Sequence, residues 1–275
     1  MKARFPFSPK AYRYDGSFDG FLCCVFESFL RKETPAAIFP EDGPYSLYQE
    51  KWVATEPEKA ARVYRALPAR ISPQAAELAR LAFLTCMPEK ELPLLRFLQE
   101  GFRTGGRIMN FLGDNDVAGL KKAEGHLQNE AHLLSGFVRF SEHGGVLTST
   151  ITPKNYVLPL LAAHFCTRMP GERFLIFDRT HREALLYKPG EAQIVPMESF
   201  TPPPPDQTEE EYRRLWRRFY HTIAIEGRTN HKCRMTHMPK RYWGNMTEFQ
   251  EDEPHREQSL AQSAGMQREP GGILK

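Results

Sequence analysis

The feature that most constrains this chain is a change of hydrophobic period partway along it. Phe18, Phe21, Leu22, Val25, Phe26 and Phe29 recur every three or four positions, the spacing of one helical face. Comparable spacing predicts further helices as far as residue 135. Beyond Gly136 the period shortens. Runs at 137–140 and 146–151 flank the turn Glu142-His143-Gly144-Gly145 and predict a hairpin. A second hairpin is predicted from 174–177 and 184–187, a third short strand from 193–196, and a helix over 155–169 between the hairpins. This order predicts an α+β fold: a helix-rich N-terminal half, antiparallel strands with one inserted helix, and a C-terminal basic amphipathic helix. The regular alternation that builds a doubly wound sheet is missing.

Local punctuation places the elements. Tyr12-Arg13-Tyr14 alternates like a short strand, and Asp15-Gly16-Ser17 turns the chain into the first helix. Thr55 with Glu58 reads as a capping box ahead of Ala60, Val63, Tyr64 and Leu67, while Ser72 before Pro73 opens another helix. Helices follow at 88–102 and 115–135, the first stopped by Arg103-Thr104-Gly105-Gly106. The prolines at 202–205 form a stiff spacer. Thr208 and Glu211 read as a second capping box. After them Tyr212, Leu215, Trp216, Phe219, Tyr220 and Ile223 share one arc, with Arg213, Arg214, Arg217, Arg218 and His221 on the other. The predicted organisation is a body at 1–200, a spacer at 201–207, a basic helix and aromatic segment at 208–249 docked on the body by its apolar stripe, and a disordered tail at 250–275.

Composition excludes several classes. With 275 residues, of which 41% are hydrophobic, the chain can bury a core. Its most apolar run, 156–166, is broken by Pro159 and His164 and falls short of the roughly 20 residues of a membrane span. The opening residues lack an apolar signal core, so a cytoplasmic protein is expected. The cysteines (Cys23, Cys24, Cys86, Cys166 and Cys233) are scattered and include no C-x-x-C, which argues against a disulfide scaffold or an iron–sulfur cluster. No bound cofactor is expected. Cys23 and Cys24 lie in an apolar helix and read as packing residues. Signatures of serine hydrolases, P-loop enzymes and zinc proteases are absent.

The net charge of +3 is unevenly distributed. Within 211–241, Arg213, Arg214, Arg217, Arg218, Arg228, Lys232, Arg234, Lys240 and Arg241 are opposed only by Glu211 and Glu226. Guanidinium groups grip phosphate oxygens and aromatic planes stack on bases, so Arg228, Asn230, Lys240, Arg241, Tyr242 and Trp243, with the helix arginines, form a candidate nucleic-acid surface. The competing reading keeps Tyr242 and Trp243 as core anchors and the arginines in ion pairs. His231, Cys233 and His237 lie close together, but no fourth ligand appears at finger spacing, so no metal is expected. A separate acid–base candidate is His164 with Arg168 and Asp178 assisting. Cys166 would point to another side of the helix.

Several of these segments, taken in order, resemble a known bacterial family, the SAM-associated "probable DNA metabolism protein" family. They are Tyr14-Asp15-Gly16-Ser17-Phe18-Asp19-Gly20-Phe21-Leu22, Glu130-Ala131-His132 with Gly136-Phe137-Val138-Arg139-Phe140, Val157-Leu158-Pro159-Leu160 with His164-Phe165, Phe174-Leu175-Ile176-Phe177-Asp178, and Met238-Pro239-Lys240-Arg241-Tyr242-Trp243 with Glu248-Phe249. The resemblance implies a gene neighbouring a radical-SAM protein assigned to DNA modification or repair, and a domain also found fused to uracil-DNA-glycosylase-like domains. It carries over no catalytic residue. The expectation is a DNA-binding accessory or substrate-presenting partner of a radical-SAM enzyme. A nucleic-acid-processing enzyme centred on His164 and a pure protein-interaction module are the alternatives.

Overall fold

The structure, a computed structural model, describes residues 5–223 and 230–249. The tail expected at 250–275 to be disordered lies outside the described residues. The chain is α+β and divides into two compact units, 1–203 and 204–275. Among the described residues no helix is long and apolar enough to cross a membrane.

The first unit opens with a small parallel sheet that the sequence reading missed except for the end of one strand. Strand β1 (Phe7–Tyr14) lies between β2 (Thr34–Pro40) and β3 (Gln49–Trp52), parallel to both. Helix α1 (Phe18–Arg31) makes the crossover that a parallel β1–β2 pair requires. Ser17 caps α1 by accepting from the Gly20 amide at 2.9 Å. Gly20 has no room for a side chain, because a Cβ there would lie 2.2 Å from Asp15 Oδ1 and 2.8 Å from Thr55 Oγ1. Those two atoms border the Asp15–Thr55 hydrogen bond (2.6 Å), so Thr55 is engaged there and is not the cap of the next helix. Helix α2 (Pro57–Arg70) starts instead from Glu56 without a side-chain cap.

Helices α3 (Pro73–Phe83), α4 (Glu91–Thr104) and α5 (Asn115–Phe137) complete the helical layer. Phe21, Leu22, Leu67, Leu78, Leu94 and Phe97 are buried together in its core. Cys23 and Cys24 are buried in α1, and burial pushes the Cys24 thiol well above its ordinary range. On α5 the buried Glu130 carboxylate accepts from the amides of Lys154 and Asn155 and from Asn155 Nδ2, which fixes the segment leading into the second sheet.

That sheet has the order β4–β5–β6–β7–β8. Its strands are β4 (Ser141–His143), β5 (Val146–Ile151), β6 (Phe174–Asp178), β7 (Glu183–Lys188) and β8 (Glu191–Pro196), with helix α6 (Leu158–Arg168) between β5 and β6. The hairpins β4–β5 and β6–β7 and the pair β7–β8 are antiparallel. The central pair β5–β6 is parallel, because α6 carries the chain back to the end of the sheet where β5 began. The antiparallel expectation is corrected there. The first strand is also displaced from 137–140, since Phe140 packs edge-on to Phe165 and Phe174.

The second unit contains α7 (Gln207–Thr222), α8 (His231–His237) and two 3₁₀ turns, Lys240–Asn245 and Thr247–Phe249. Asp206, not Thr208, caps α7 by accepting from the Glu209 amide at 2.8 Å. Within this unit no α7 residue is buried, and Tyr212, Leu215 and Phe219 are 66%, 58% and 52% exposed. Trp216 donates from Nε1 to Glu248, and Tyr220 meets Phe249 edge-on.

Candidate functional site

The basic segment is only partly an open cationic surface. Arg213 is half-buried and paired with Glu209 at 2.8 Å, and Arg217 is half-buried as well. Arg214 and Arg218, one turn apart on α7, are exposed, and among the described residues neither guanidinium group has an ion-pair or hydrogen-bond partner. Arg228 lies outside the described residues. Asn230 caps α8, its side-chain oxygen accepting from the Cys233 amide at 2.9 Å.

The aromatic platform is turned to internal use. Tyr242 is buried, and Arg241 lies over its ring and donates to its hydroxyl. Trp243 stacks on Phe249 at 4.4 Å, with the Arg234 guanidinium 4.9 Å from its centroid and Lys240 at 5.9 Å. Its Nε1 donates to the Met238 carbonyl at 3.0 Å. Tyr242 is thus buried, while Trp243 is half-buried with Phe249 stacked on its ring. Cys233 and His237 lie a turn apart on α8, with Sγ 3.6 Å from Nδ1.

The predicted acid–base trio is not assembled. His164 and Arg168 are exposed on α6, and the His164 ring rests edge-on to Phe165. Asp178 ends β6 fully buried, and its partner is His181, a residue that the sequence reading placed only in a hairpin turn. Asp178 Oδ1 accepts from the amides of Thr180 (2.9 Å) and His181 (3.2 Å), closing the turn, and Oδ2 lies 2.6 Å from His181 Nδ1. Two amides directed at one carboxylate fold the chain back so that the ring sits over its own anchor. With Nδ1 donating its proton to Asp178, a neutral ring leaves Nε2 as an acceptor.

His181 borders a cleft of about 890 Å³ in the first unit, and several groups the sequence did not single out converge on it. The floor comes from the C-terminal end of β1 and the start of α1, where Tyr14, Asp15, Ser17 and Phe18 line it. Loops beyond the carboxyl ends of parallel strands are where open α/β sheets place ligands. Pro40, which ends β2, and Glu41 and Asp42 after it form a rim that Arg13 fixes by donating to the carbonyls of Pro40 (2.9 Å) and Pro44 (3.0 Å) and to Glu50. The opposite wall is Tyr156, His181 and Glu183. There the Tyr156 ring packs against the imidazole at 5.4 Å and its hydroxyl donates to Glu183.

Charge in the cleft is held in defined positions. Burial opposes ionisation of Asp15, but hydrogen bonds from Thr55 and Ser17 outweigh it and hold the carboxyl below its usual range. Ser17 is therefore occupied twice, donating to Asp15 and capping α1, and is no free nucleophile. Glu91 accepts from the buried Tyr14 hydroxyl at 3.2 Å. Lys90 donates to the Thr85 carbonyl at 2.9 Å and lies 5.0 Å from the centre of the Phe83 ring; desolvation lowers its pKa. Among the described residues no cluster of three or more histidine, cysteine or acidic side chains is arranged to hold a metal. The Asp-x-x-His spacing at a predicted hairpin turn was the one local clue to the dyad.

Residues 88–248 match the family of a domain of unknown function, DUF4130. The match contains Lys90, Tyr156, Asp178 and His181, as well as the arginines of α7, and leaves out β1 and α1. No curated protein matches the chain.

Proposed function

We propose that this chain, which belongs to the DUF4130 family, acts in DNA metabolism as a DNA-binding partner of a radical-SAM repair or modification enzyme. The observation that carries the reading is the pair Arg214 and Arg218: two exposed guanidinium groups one helical turn apart, with no carboxylate partner among the described residues. Residues at i and i+4 have Cβ atoms roughly 6 Å apart, close enough for both to engage one phosphate backbone. Exposed Lys232 and Lys240 add cationic charge in the same unit. The resemblance to the DNA-metabolism family supplies the biological setting and the radical-SAM partner. The contact set is narrower than the sequence suggested, because Arg213 is paired, Asn230 caps a helix and Tyr242 is buried.

The exposed stripe of Tyr212, Leu215 and Phe219 favours a second element of the same reading, an apolar face for the protein partner. Affinity for labelled single- and double-stranded oligonucleotides across a salt series tests the DNA part. Binding is expected to weaken steeply with salt, and replacing both Arg214 and Arg218 by Ala should reduce the log–log slope by about 2. A slope unchanged in the double variant, or no binding at low salt, rejects the reading. Co-purification with the radical-SAM protein tests the partnership separately.

A further inference from the structure

We propose that the cleft bordered by His181 is a ligand site in its own right, taking a planar, phosphate-free ring with amidine or amino N–H donors, with His181 as the proton acceptor. The inference does not depend on DNA binding by α7. Its volume, about 890 Å³, lies in the range of small-molecule sites and suits a ligand with one or two rings. Partly exposed Phe18, Phe83 and Tyr156 supply apolar walls for a flat molecule.

The dyad gives the site its orientation. Asp178 is fully buried and saturated by two amides and the imidazole, so the ring is held before any ligand arrives. In the neutral ring with Nδ1 donating to Asp178, the remaining nitrogen is an acceptor, matched to an N–H or N–H⁺ donor on the ligand. Around it, Asp15, Glu91 and Glu183 add further acceptors, and Glu41 and Asp42 stand exposed on the rim. The cation present, Lys90, already donates to Thr85 and packs on Phe83. Such a lining favours donors and positive charge, and repels phosphate and carboxylate. A nucleotide phosphate or a DNA strand is the wrong ligand here.

Benzamidine and benzoate, which share shape and differ in charge, test this on the full chain. Histidine and tyrosine side-chain NMR signals are followed during titration, with His181 assigned by its loss in His181→Gln. Benzamidine should shift the His181 and Tyr156 signals saturably, and benzoate should bind at least tenfold more weakly. His181→Gln and Glu183→Gln should each weaken benzamidine several-fold while the circular dichroism stays that of the parent. Equal or tighter binding of benzoate would overturn the proposal. So would benzamidine binding indifferent to both substitutions, or signals that do not move at millimolar benzamidine.

Discussion

The cleft of the first unit and helix α7 of the second treat charge in opposite ways. In the cleft, ionisable groups are held by the fold: Asp178 by two amides and an imidazole, Asp15 by Thr55 and Ser17, Glu91 by Tyr14. On α7, Arg214 and Arg218 extend from an exposed surface, and among the described residues no side chain holds their guanidinium groups in place. Fixed acceptors discriminate by geometry, because a ligand that cannot satisfy them pays their desolvation. Exposed cations act through their field and weaken with salt. The two regions are of opposite sign, the cleft lined by held carboxylates and α7 presenting exposed guanidinium groups.

The contrast can be broken or sharpened by substitution, beginning with packing. Phe97 is fully buried, and Phe97→Ala should cost about 3–5 kcal/mol in denaturant unfolding. Phe219→Ala, at a side chain 52% exposed, should stay within about 0.5 kcal/mol. A comparable loss in both would mean that the α7 stripe is covered, and the contrast would fail. Next is the dyad. Asp178→Ala leaves the Thr180 and His181 amides without their acceptor and should cost about 2 kcal/mol. Glu209→Ala, which removes a partner of the half-buried Arg213, should cost about 1 kcal/mol or less.

A third test uses pH. Burial works against ionisation of Glu27, but its bonds to Lys51 and Arg31 prevail and lower its pKa in the folded chain. Stability from a depressed carboxyl is fully present above its unfolded pKa of about 4.3 and disappears as pH falls through the lower folded value. Glu27→Gln should therefore lose about 1 kcal/mol or less at pH 7, with the difference from the parent vanishing near pH 2. The smallest stability effect belongs to Arg214→Ala, within about 0.5 kcal/mol, while its DNA-binding salt slope should fall by about 1. A large stability loss there would reveal a structural role and remove Arg214 from the phosphate contacts.

The helices were legible because their apolar positions repeat: Phe21, Leu22 and Val25, and Ala60, Val63 and Leu67, are buried where the period places them. The hairpin at β6–β7 was legible for the same reason. The parallel sheet was hidden, since β2 contains two prolines and β3 is Gln-Glu-Lys-Trp, neither of which alternates. Parallel pairing depends on a crossover between distant segments, which no local period reports. Caps were misjudged where a hydroxyl had a better tertiary partner, as Thr55 does in Asp15. The cleft was the least legible part. Asp15, Lys90, Tyr156 and His181 come from four separate segments, and only Asp178 had been singled out, with His164 as its supposed partner. Tyr242 is buried beneath the Arg241 guanidinium, a placement that the alternation of basic and aromatic residues does not report.

Arg13 has a consequence for how anything enters the cleft. It fastens the chain after β2 to the middle of the first sheet, tying the rim to the central strand. For the ligand proposed above, the width of the mouth would then be shaped before the molecule arrives, and size would decide which molecules pass. Arg13→Ala would turn that aperture into an open trough, admitting bulkier visitors and holding each of them less well.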